Sequence, residues 1–424
     1  MIPRYLSSVL TGSLADFPVV LLVGARQVGK STLAQAMVRP RWRARYATLD
    51  DRTTLDAALL NPDGFLAEMD GPVILDEVQR APDLLRSVKL LVDRDRRPGR
   101  FLLTGSANVL TLASVSETLA GRVAVHELHP FSWTERYEDP SPKTLDALFE
   151  ASSSGDLLRR LGASRTARSS NRIEEIKRFI LTGGYPTPSL MRSDRSRETW
   201  FDSYRQTYVE RDVRDVASIF HQPDFNRLLV TVASRTGRML NASELSRDIG
   251  LPVTTIRRYF ALLGQTFQVF LLHPYAANLA KRLMKTPKVY LADTGLACHL
   301  CAVDRWETLV RQDRVGAMVE TWAVSEIRKL ARLASPGIDL WYWRTRTGEE
   351  VDLLLERGGE IVGIEIKWSA ALDRRRDLSG LFACREALKK RWRFGIVLHG
   401  GTEAVPIDDR TVAIPFAAFF GRKT

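Results

Sequence analysis

Eight consecutive residues constrain this chain more than any others. Gly24-Ala25-Arg26-Gln27-Val28-Gly29-Lys30-Ser31 fits the pattern G-x-x-x-x-G-K-[ST]. It follows the apolar run Val19–Val23 and opens a helical pattern, Ser31–Val38. A strand that enters a glycine-rich turn and then a helix points backbone N–H groups inward around phosphate oxygens. The helix N-terminus adds the positive end of its dipole. In this setting Lys30 holds the β- and γ-phosphates of a nucleotide, and the Ser31 hydroxyl ligates Mg²⁺.

A phosphate loop of this kind needs a parallel sheet behind it. Val73–Leu75, Arg100–Leu103 and Val123–Leu128 read as further buried strands, with helical stretches such as Ala81–Asp93 between them. That alternation predicts an α/β sheet with helices on both faces. The second apolar run ends in Asp76-Glu77, so Asp76 is placed to hold Mg²⁺ through water and Glu77 to orient or deprotonate an attacking water. The third leads into Thr104-Gly105-Ser106, where a polar side chain can position that water. Thr104 and Ser106 are both candidates, and ordinary turn chemistry accounts for either taken singly.

With 424 residues the chain is long enough for two to four domains of roughly 100–200 residues each. Its 45% hydrophobic content excludes wholesale disorder. No apolar run approaches the roughly 20 residues that cross a bilayer, so no membrane partner is expected. Met1-Ile2-Pro3-Arg4 lacks the layout of a signal peptide, and three cysteines cannot form a disulfide framework; both fit a cytoplasmic protein. The formal charge of +12 makes an anionic partner plausible without establishing one.

Between Asp139 and Asn171 the composition changes. Ser/Pro clusters punctuate a basic stretch containing Arg159, Arg160, Arg165 and Arg168, which reads as a mobile connection with one short helix. A helix over Arg172–Leu181 then ends at Gly183-Gly184-Tyr185-Pro186, and a long amphipathic helix covers Glu198–Phe220. The expected division is an ATPase core over 1–138, a flexible linker over 139–171 and a helical lid over 172–220. A helix-turn-helix module over 221–275 and an α/β domain over 276–424 complete it.

The residues quoted so far resemble those of AAA-type ATPases of the bacterial and archaeal group that carry a nuclease-like C-terminal domain of unknown function. Gly24 through Thr32, Leu75-Asp76-Glu77-Val78-Gln79, Leu103-Thr104-Gly105-Ser106, Leu119-Ala120-Gly121-Arg122, Gly183-Gly184-Tyr185-Pro186 and Tyr208-Val209-Glu210-Arg211-Asp212 all match. The resemblance covers essentially the whole chain. It implies a P-loop AAA+ core with a parallel sheet and helical lid, a winged helix-turn-helix, and a restriction-endonuclease-like C-terminal domain. It also implies that Arg122 is an arginine finger for a neighbouring subunit's γ-phosphate, and hence an oligomer, a ring by that analogy. Tyr185 and Pro186 resemble a lid turn that packs on adenine; a tight turn between helices is the other reading.

Ala242–Ile249 and Leu251–Leu263 have the periodicity of two short helices around Gly250. Leu245, Ile249, Ile256, Tyr259, Leu262 and Leu263 form the expected core. Thr254, Thr255, Arg257 and Arg258 face outward, as on a helix that enters a DNA groove. Packing between domains is the alternative use of such a module.

After Tyr275 the pattern becomes helix, three strands, helix, strand. Asp352 sits near the start of one strand, while Glu349 and Glu350 belong to a solvated turn. Glu365 and Lys367 share one face of the next strand, because side chains alternate with period 2. Glu320 on the preceding helix adds a third carboxylate. Asp352, Glu365 and Glu320 could hold Mg²⁺ or Mn²⁺, with Lys367 stabilising a charged phosphodiester intermediate. This resembles the PD-(D/E)xK nuclease core, with Val351-Asp352 where that motif has Pro-Asp. The domain either cleaves or only binds nucleic acid or partner subunits. Cys298-His299-Leu300-Cys301 has no second pair and reads as helical core, so no zinc is expected. Trp341, Trp343 and Trp368 read as hairpin packing.

The sequence therefore points to a Mg²⁺- and ATP-dependent hydrolase acting on DNA, branched DNA among the candidates. The rival is a nucleotide-dependent switch in defence or toxin–antitoxin signalling, whose C-terminal modules bind proteins.

Overall fold

The computed structural model describes residues 2–40, 42–106, 119–162, 170–209, 221–276, 286–334, 337–371 and 373–420. The chain divides into two compact units. The first holds Met1–Phe131, Tyr185–Gln222 and Phe260–Gln268; the second holds Ser132–Gly184, Pro223–Tyr259 and Val269–Thr424.

The first unit is built on five strands: β1 (Val19–Val23), β2 (Arg45–Thr48), β3 (Val73–Asp76), β4 (Phe101–Gly105) and β5 (Val123–Glu127). Their order is β2-β3-β4-β1-β5, and every neighbouring pair is parallel. β1, β3 and β4 are buried along their whole lengths, which is why they are unbroken apolar runs rather than alternating ones. Leu21, Leu75 and Leu103 pack into one core with Leu84, Val88 and Val92 of the helix Leu84–Arg94. Each such buried side chain contributes about 1.5–3 kcal/mol of transfer free energy. Parallel pairing puts the carboxyl ends of β1, β3 and β4 on one edge, the usual place for a ligand in such a sheet. A mixed α/β unit with a five-stranded parallel sheet fits the core expected from the phosphate loop.

The segment expected to be one long helix over Glu198–Phe220 begins earlier, at Asp194. Ser193 caps it, its hydroxyl accepting from Ser196 N at 3.3 Å, and it stays helical through Val209. The rest of that expectation, and Glu210, Arg211 and Asp212, lie outside the described residues.

The second unit contains the C-terminal pattern in the expected order. The helix Val315–Ala331 precedes β8 (Asp339–Arg344), β9 (Glu350–Arg357) and β10 (Glu360–Lys367). The helix Ser379–Leu388, β11 (Trp392–His399), β12 (Val405–Asp408) and β13 (Thr411–Pro415) follow. The sheet order is β12-β13-β11-β10-β9-β8. β8, β9 and β10 form an antiparallel meander, and β10–β11 and β11–β13 are parallel. Gly358 and Gly359 close the β9–β10 hairpin with φ of 58° and 86°, the geometry a tight two-residue turn demands. A separate antiparallel pair joins β6 (Val269–Leu272) to β7 (Lys288–Leu291).

The expected linker is corrected by this unit. Residues 144–150 and 154–160 are helices, and Leu145, Leu148 and Leu157 are buried. Ser154 Oγ donates to Asp408 O at 2.6 Å, and Arg393 Nη2 donates to Ala151 O at 2.9 Å. Thr144 Oγ1 donates to Phe419 O. Ser153, one of the serines that suggested a linker, is here a helix cap, since its Oγ accepts from Asp156 N at 3.2 Å. Arg165 and Arg168 lie outside the described residues.

The two short helices are Ala242–Ile249 and Val253–Gln265. Asn241 caps the first by accepting from Ser243 N and Glu244 N, and Gly250 ends it with φ of 75°. All six expected core positions are buried. Among the described residues no helix is long and apolar enough to cross a membrane.

Candidate functional site

At the carboxyl end of β1 the loop is shaped by backbone that only some residues allow. Gly24 has φ of 150°, and a Cβ there would lie 2.4 Å from Leu128 O. Gly29 has φ of 93° and caps the helix Lys30–Ala36. Gln27 also adopts a positive φ, 65°. Ala25 and Val28 are buried, and Arg26 and Thr32 flank the same turn. Lys30 is only 5% exposed; its Nζ donates to Gly24 O and Ala25 O, both at 3.1 Å. Arg4, which no motif singled out, braces the loop by donating to Val28 O at 3.0 Å.

Asp76 gathers hydroxyls from the helix Lys30–Ala36, β2 and β4. Ser31 Oγ donates to its Oδ1 at 3.0 Å, and Thr104 Oγ1 donates to the same oxygen. On Oδ2, Tyr46 OH donates at 2.7 Å and Thr48 Oγ1 at 3.4 Å. Burial, first, and then the bond to Asp76 push the Tyr46 hydroxyl up to about 12. Ser31 and Asp76 thus bring together hard oxygen donors of the kind Mg²⁺ prefers, beside a loop shaped for an anion. The residues present fit Mg²⁺ and a nucleotide.

Glu77 follows with φ of 59°, a left-handed conformation that is costly for a residue with a long side chain. Its N–H donates to Thr104 Oγ1 at 3.3 Å. The Gln79 amide donates both to Glu77 Oε2 and, at 3.1 Å, to Ser106 Oγ. Thr104 therefore meets the acidic pair directly and Ser106 is joined to Glu77 through Gln79, a bridge that sequence reasoning overlooked.

Arg122 does not project freely. Its Nε donates to Asp93 Oδ1 at 2.6 Å and its Nη1 to Ala120 O at 2.9 Å. The guanidinium holds the Asp93 carboxyl below its usual range. A finger role requires that pair to open.

Tyr185 is corrected. Its ring is 1% exposed, 4.9 Å from the Tyr204 ring and 5.6 Å from that of Trp200, with its OH 2.9 Å from Tyr204 OH. A ring enclosed on this scale has no face for adenine, and Pro186 begins the short helix Pro186–Leu190. The preceding Gly-Gly has its own cause within the second unit. Asp293 Oδ2 accepts from Gly184 N at 2.7 Å, and a Cβ on Gly183, at φ 70°, would lie 2.2 Å from Asp293 Oδ1.

On the second short helix Thr254, Arg257 and Arg258 are exposed and Thr255 is half-buried, facing outward as expected. Cys298 is buried in the helix Thr294–Leu300, and burial raises its thiol. Trp341 and Trp343 pack against the core that holds Val351 and Leu354.

In the C-terminal sheet, Lys367 Nζ lies 2.9 Å from Glu365 Oε1, so the two do share a face of β10. Asp352 Oδ2 accepts from Ile366 N at 2.8 Å. Burial raises the Asp352 carboxyl well above the usual range, with Glu365 and Glu320 adding to it, and burial raises Glu365 as well. Glu365 Oε2 is buried with no hydrogen-bond partner among the described residues.

Two residues alter the expected arrangement. Glu350 is not in a solvated turn: it begins β9, so period 2 puts it on the face of Asp352. Lys288 of β7, absent from every motif, lies among these acids. Its Nζ is 2.9 Å from Glu320 Oε1, 2.5 Å from Glu350 Oε1 and 3.8 Å from Asp352 Oδ1. Burial alone would lower this ammonium; Glu320 and its neighbours outweigh that and raise it well above its usual value. Tyr290 OH donates to Glu320 Oε1 at 2.6 Å. Among the described residues, no three His, Cys, Asp or Glu side chains are grouped as metal ligands. The expected triad Glu320, Asp352 and Glu365 therefore has a lysine among its carboxylates.

Three family models match the chain. An AAA domain covers residues 16–137, a domain of unknown function (DUF8612) covers 173–307, and another (DUF4143) covers 315–419. The chain is similar to the uncharacterized proteins Mb2031c of Mycobacterium bovis and Rv2008c of Mycobacterium tuberculosis. Each is 31% identical over 399 residues, which is 94% of this chain and 80% of the relative. It is also similar to the solved Walker-type ATPase PABY2304 of Pyrococcus abyssi. That likeness has 16% identity and a TM-score of 0.44, and spans 71% of this chain and 96% of the other.

Proposed function

This chain belongs to the family of the two mycobacterial proteins and carries an AAA domain of the P-loop ATPase class, and from that premise we propose that it is a Mg²⁺-dependent ATP hydrolase that acts on DNA. The observation that carries the hydrolase is the meeting of Ser31, Asp76 and Thr104 beside Lys30.

The loop N–H groups of Gly24 to Ser31 and the helix behind them hold the β- and γ-phosphates. Lys30 exchanges its two carbonyl partners for phosphate oxygens. Ser31 and Asp76 would hold Mg²⁺, which when bound would neutralise phosphate charge. Glu77 accepts a proton from the attacking water, whose oxygen bonds to the γ-phosphorus as the bond to the leaving ADP breaks. Thr104, Ser106 and Gln79 keep Glu77 in place. Arg122, released from Asp93, reaches the γ-phosphate of a neighbouring copy in an oligomer.

The DNA reading is supported by the exposed Thr254, Arg257 and Arg258 on the second short helix and by the charge of +12. A second reading keeps the ATPase but makes it a switch whose C-terminal modules bind protein partners. Lys288 among the carboxylates favours this, since it opposes the metal-dependent cleavage that Asp352, Glu365 and Lys367 would otherwise suggest. ATP hydrolysis measured at fixed salt with no DNA, linear duplex, single strand and a four-way junction separates the two. Stimulation by one form supports the DNA reading and names the shape. A flat response with active hydrolysis overturns it in favour of the switch.

A further inference from the structure

We infer that Lys288 is the resident cation of the C-terminal carboxylate cluster, holding the place a divalent metal takes in a cleaving centre, so that this cluster binds no Mg²⁺ or Mn²⁺ in the native chain. The inference does not depend on the ATPase or DNA readings.

Glu320 comes from the helix Val315–Ala331, Glu350 and Asp352 from β9, and Glu365 from β10. Carboxylates brought this close out of water need a cation among them. One on β10 is Lys367, which bonds Glu365 and lies 4.0 Å from Asp377. Another is Lys288, whose side chain is 5% exposed and contacts Glu320, Glu350 and Asp352, while Arg344 Nη1 pairs with the other Glu350 oxygen, Oε2, at 3.1 Å. Tyr290, two residues on and on the same face, donates to the Glu320 oxygen that Lys288 also contacts. An ammonium there takes the oxygen lone pairs a metal would need, and a divalent ion entering beside it is repelled.

The position of Lys288 is set by backbone on both sides. β7 pairs with β6 through Lys288 and Leu272. On its other side Gly237 N donates to Val289 O at 2.7 Å, Val289 N donates to Arg238 O at 3.0 Å, and Leu240 N donates to Pro287 O at 2.8 Å. A surface lysine could swing away as a metal arrives. This one is buried and leaves only by breaking its contacts with Glu320, Glu350 and Asp352, and the strand that carries it is bonded to both segments that flank the two short helices.

The test is a Mn²⁺ titration of the full, nucleotide-free chain, followed by the electron paramagnetic resonance of free Mn²⁺. The proteins are wild type, D352N, K288M and K288M/D352N. Any Mn²⁺ held near the phosphate loop is common to all four, so a difference that depends on Asp352 reports the cluster. Wild type and D352N should bind alike. K288M should gain one ion, held at least about tenfold more tightly than in wild type, and K288M/D352N should lose it. A Mn²⁺ site in wild type that D352N removes overturns the inference, as does a folded K288M that gains none. Should K288M not fold, the wild type and D352N comparison still decides, and K288M/E320Q, which removes the pair together, supplies the gain-of-site arm.

Discussion

The Ser31 hydroxyl donates to Asp76 Oδ1 at 3.0 Å across 45 positions of sequence. Parallel pairing of β1, β4 and β3 is what closes that distance, because it puts the phosphate loop and the end of β3 on one edge. Substituting either residue separates nucleotide binding from turnover. S31A and D76N should each lower phosphate release at saturating ATP by about 100-fold or more, the scale of losing one organised contact to transition-state charge. Lys30→Ala should abolish release and weaken nucleotide binding as well. Near-normal turnover in K30A would remove the loop from the mechanism.

Gln79 ties Glu77 to Ser106. If that tie orients the base, Q79L should lower kcat about tenfold or more while leaving nucleotide affinity within about twofold, and Q79N should recover less than wild type because its reach is shorter. A matching loss of affinity in Q79L would mark the residue as part of the loop's packing and not as a positioner of Glu77.

Gly183 has no room for a methyl group. At φ 70° an alanine costs about 1–2 kcal/mol in backbone strain. Displacing the Asp293 carboxylate 2.2 Å from that Cβ adds about 1–3 kcal/mol for the Gly184 N–H left without its acceptor. G183A should therefore lower unfolding free energy by about 2–5 kcal/mol in urea. In a D293A background the same change should cost only the backbone part. Equal costs in both backgrounds would show that the carboxylate is not what excludes the side chain.

His399 sits buried at the end of β11 with its Nδ1 accepting from Gly401 N at 3.0 Å. Burial lowers its pKa from the ordinary 6.5. A depressed value means the unfolded chain takes up the proton first as pH falls, so the stabilisation is fully present above 6.5 and is lost as pH drops through the folded value. H399N keeps an acceptor without the titration. Its unfolding free energy should fall less steeply below pH 6.5 than that of wild type; parallel slopes would assign the acid sensitivity elsewhere.

Features carried by neighbouring residues were legible before any fold was known. The loop from Gly24 to Ser31 is one contiguous turn, Asp76-Glu77 terminates an apolar strand, and Glu365 and Lys367 are two apart on β10, so local geometry alone relates their side chains. Helix periodicity likewise identified Leu245, Ile249, Ile256 and Tyr259 as core. What depended on distant pairing was not legible. Glu350 changed from turn to site because β9 begins there; Lys288 entered the cluster through the register of β7; Tyr185 was enclosed by Trp200 and Tyr204; Arg122 was claimed by Asp93. The Ser-rich stretch before Asn171 hid two helices, since a serine at a cap and a serine in a linker have the same composition. Local sequence sets which atoms a segment offers, but backbone pairing and burial select which distant atoms meet them, and the ion pairs at both sites are settled only at that second step.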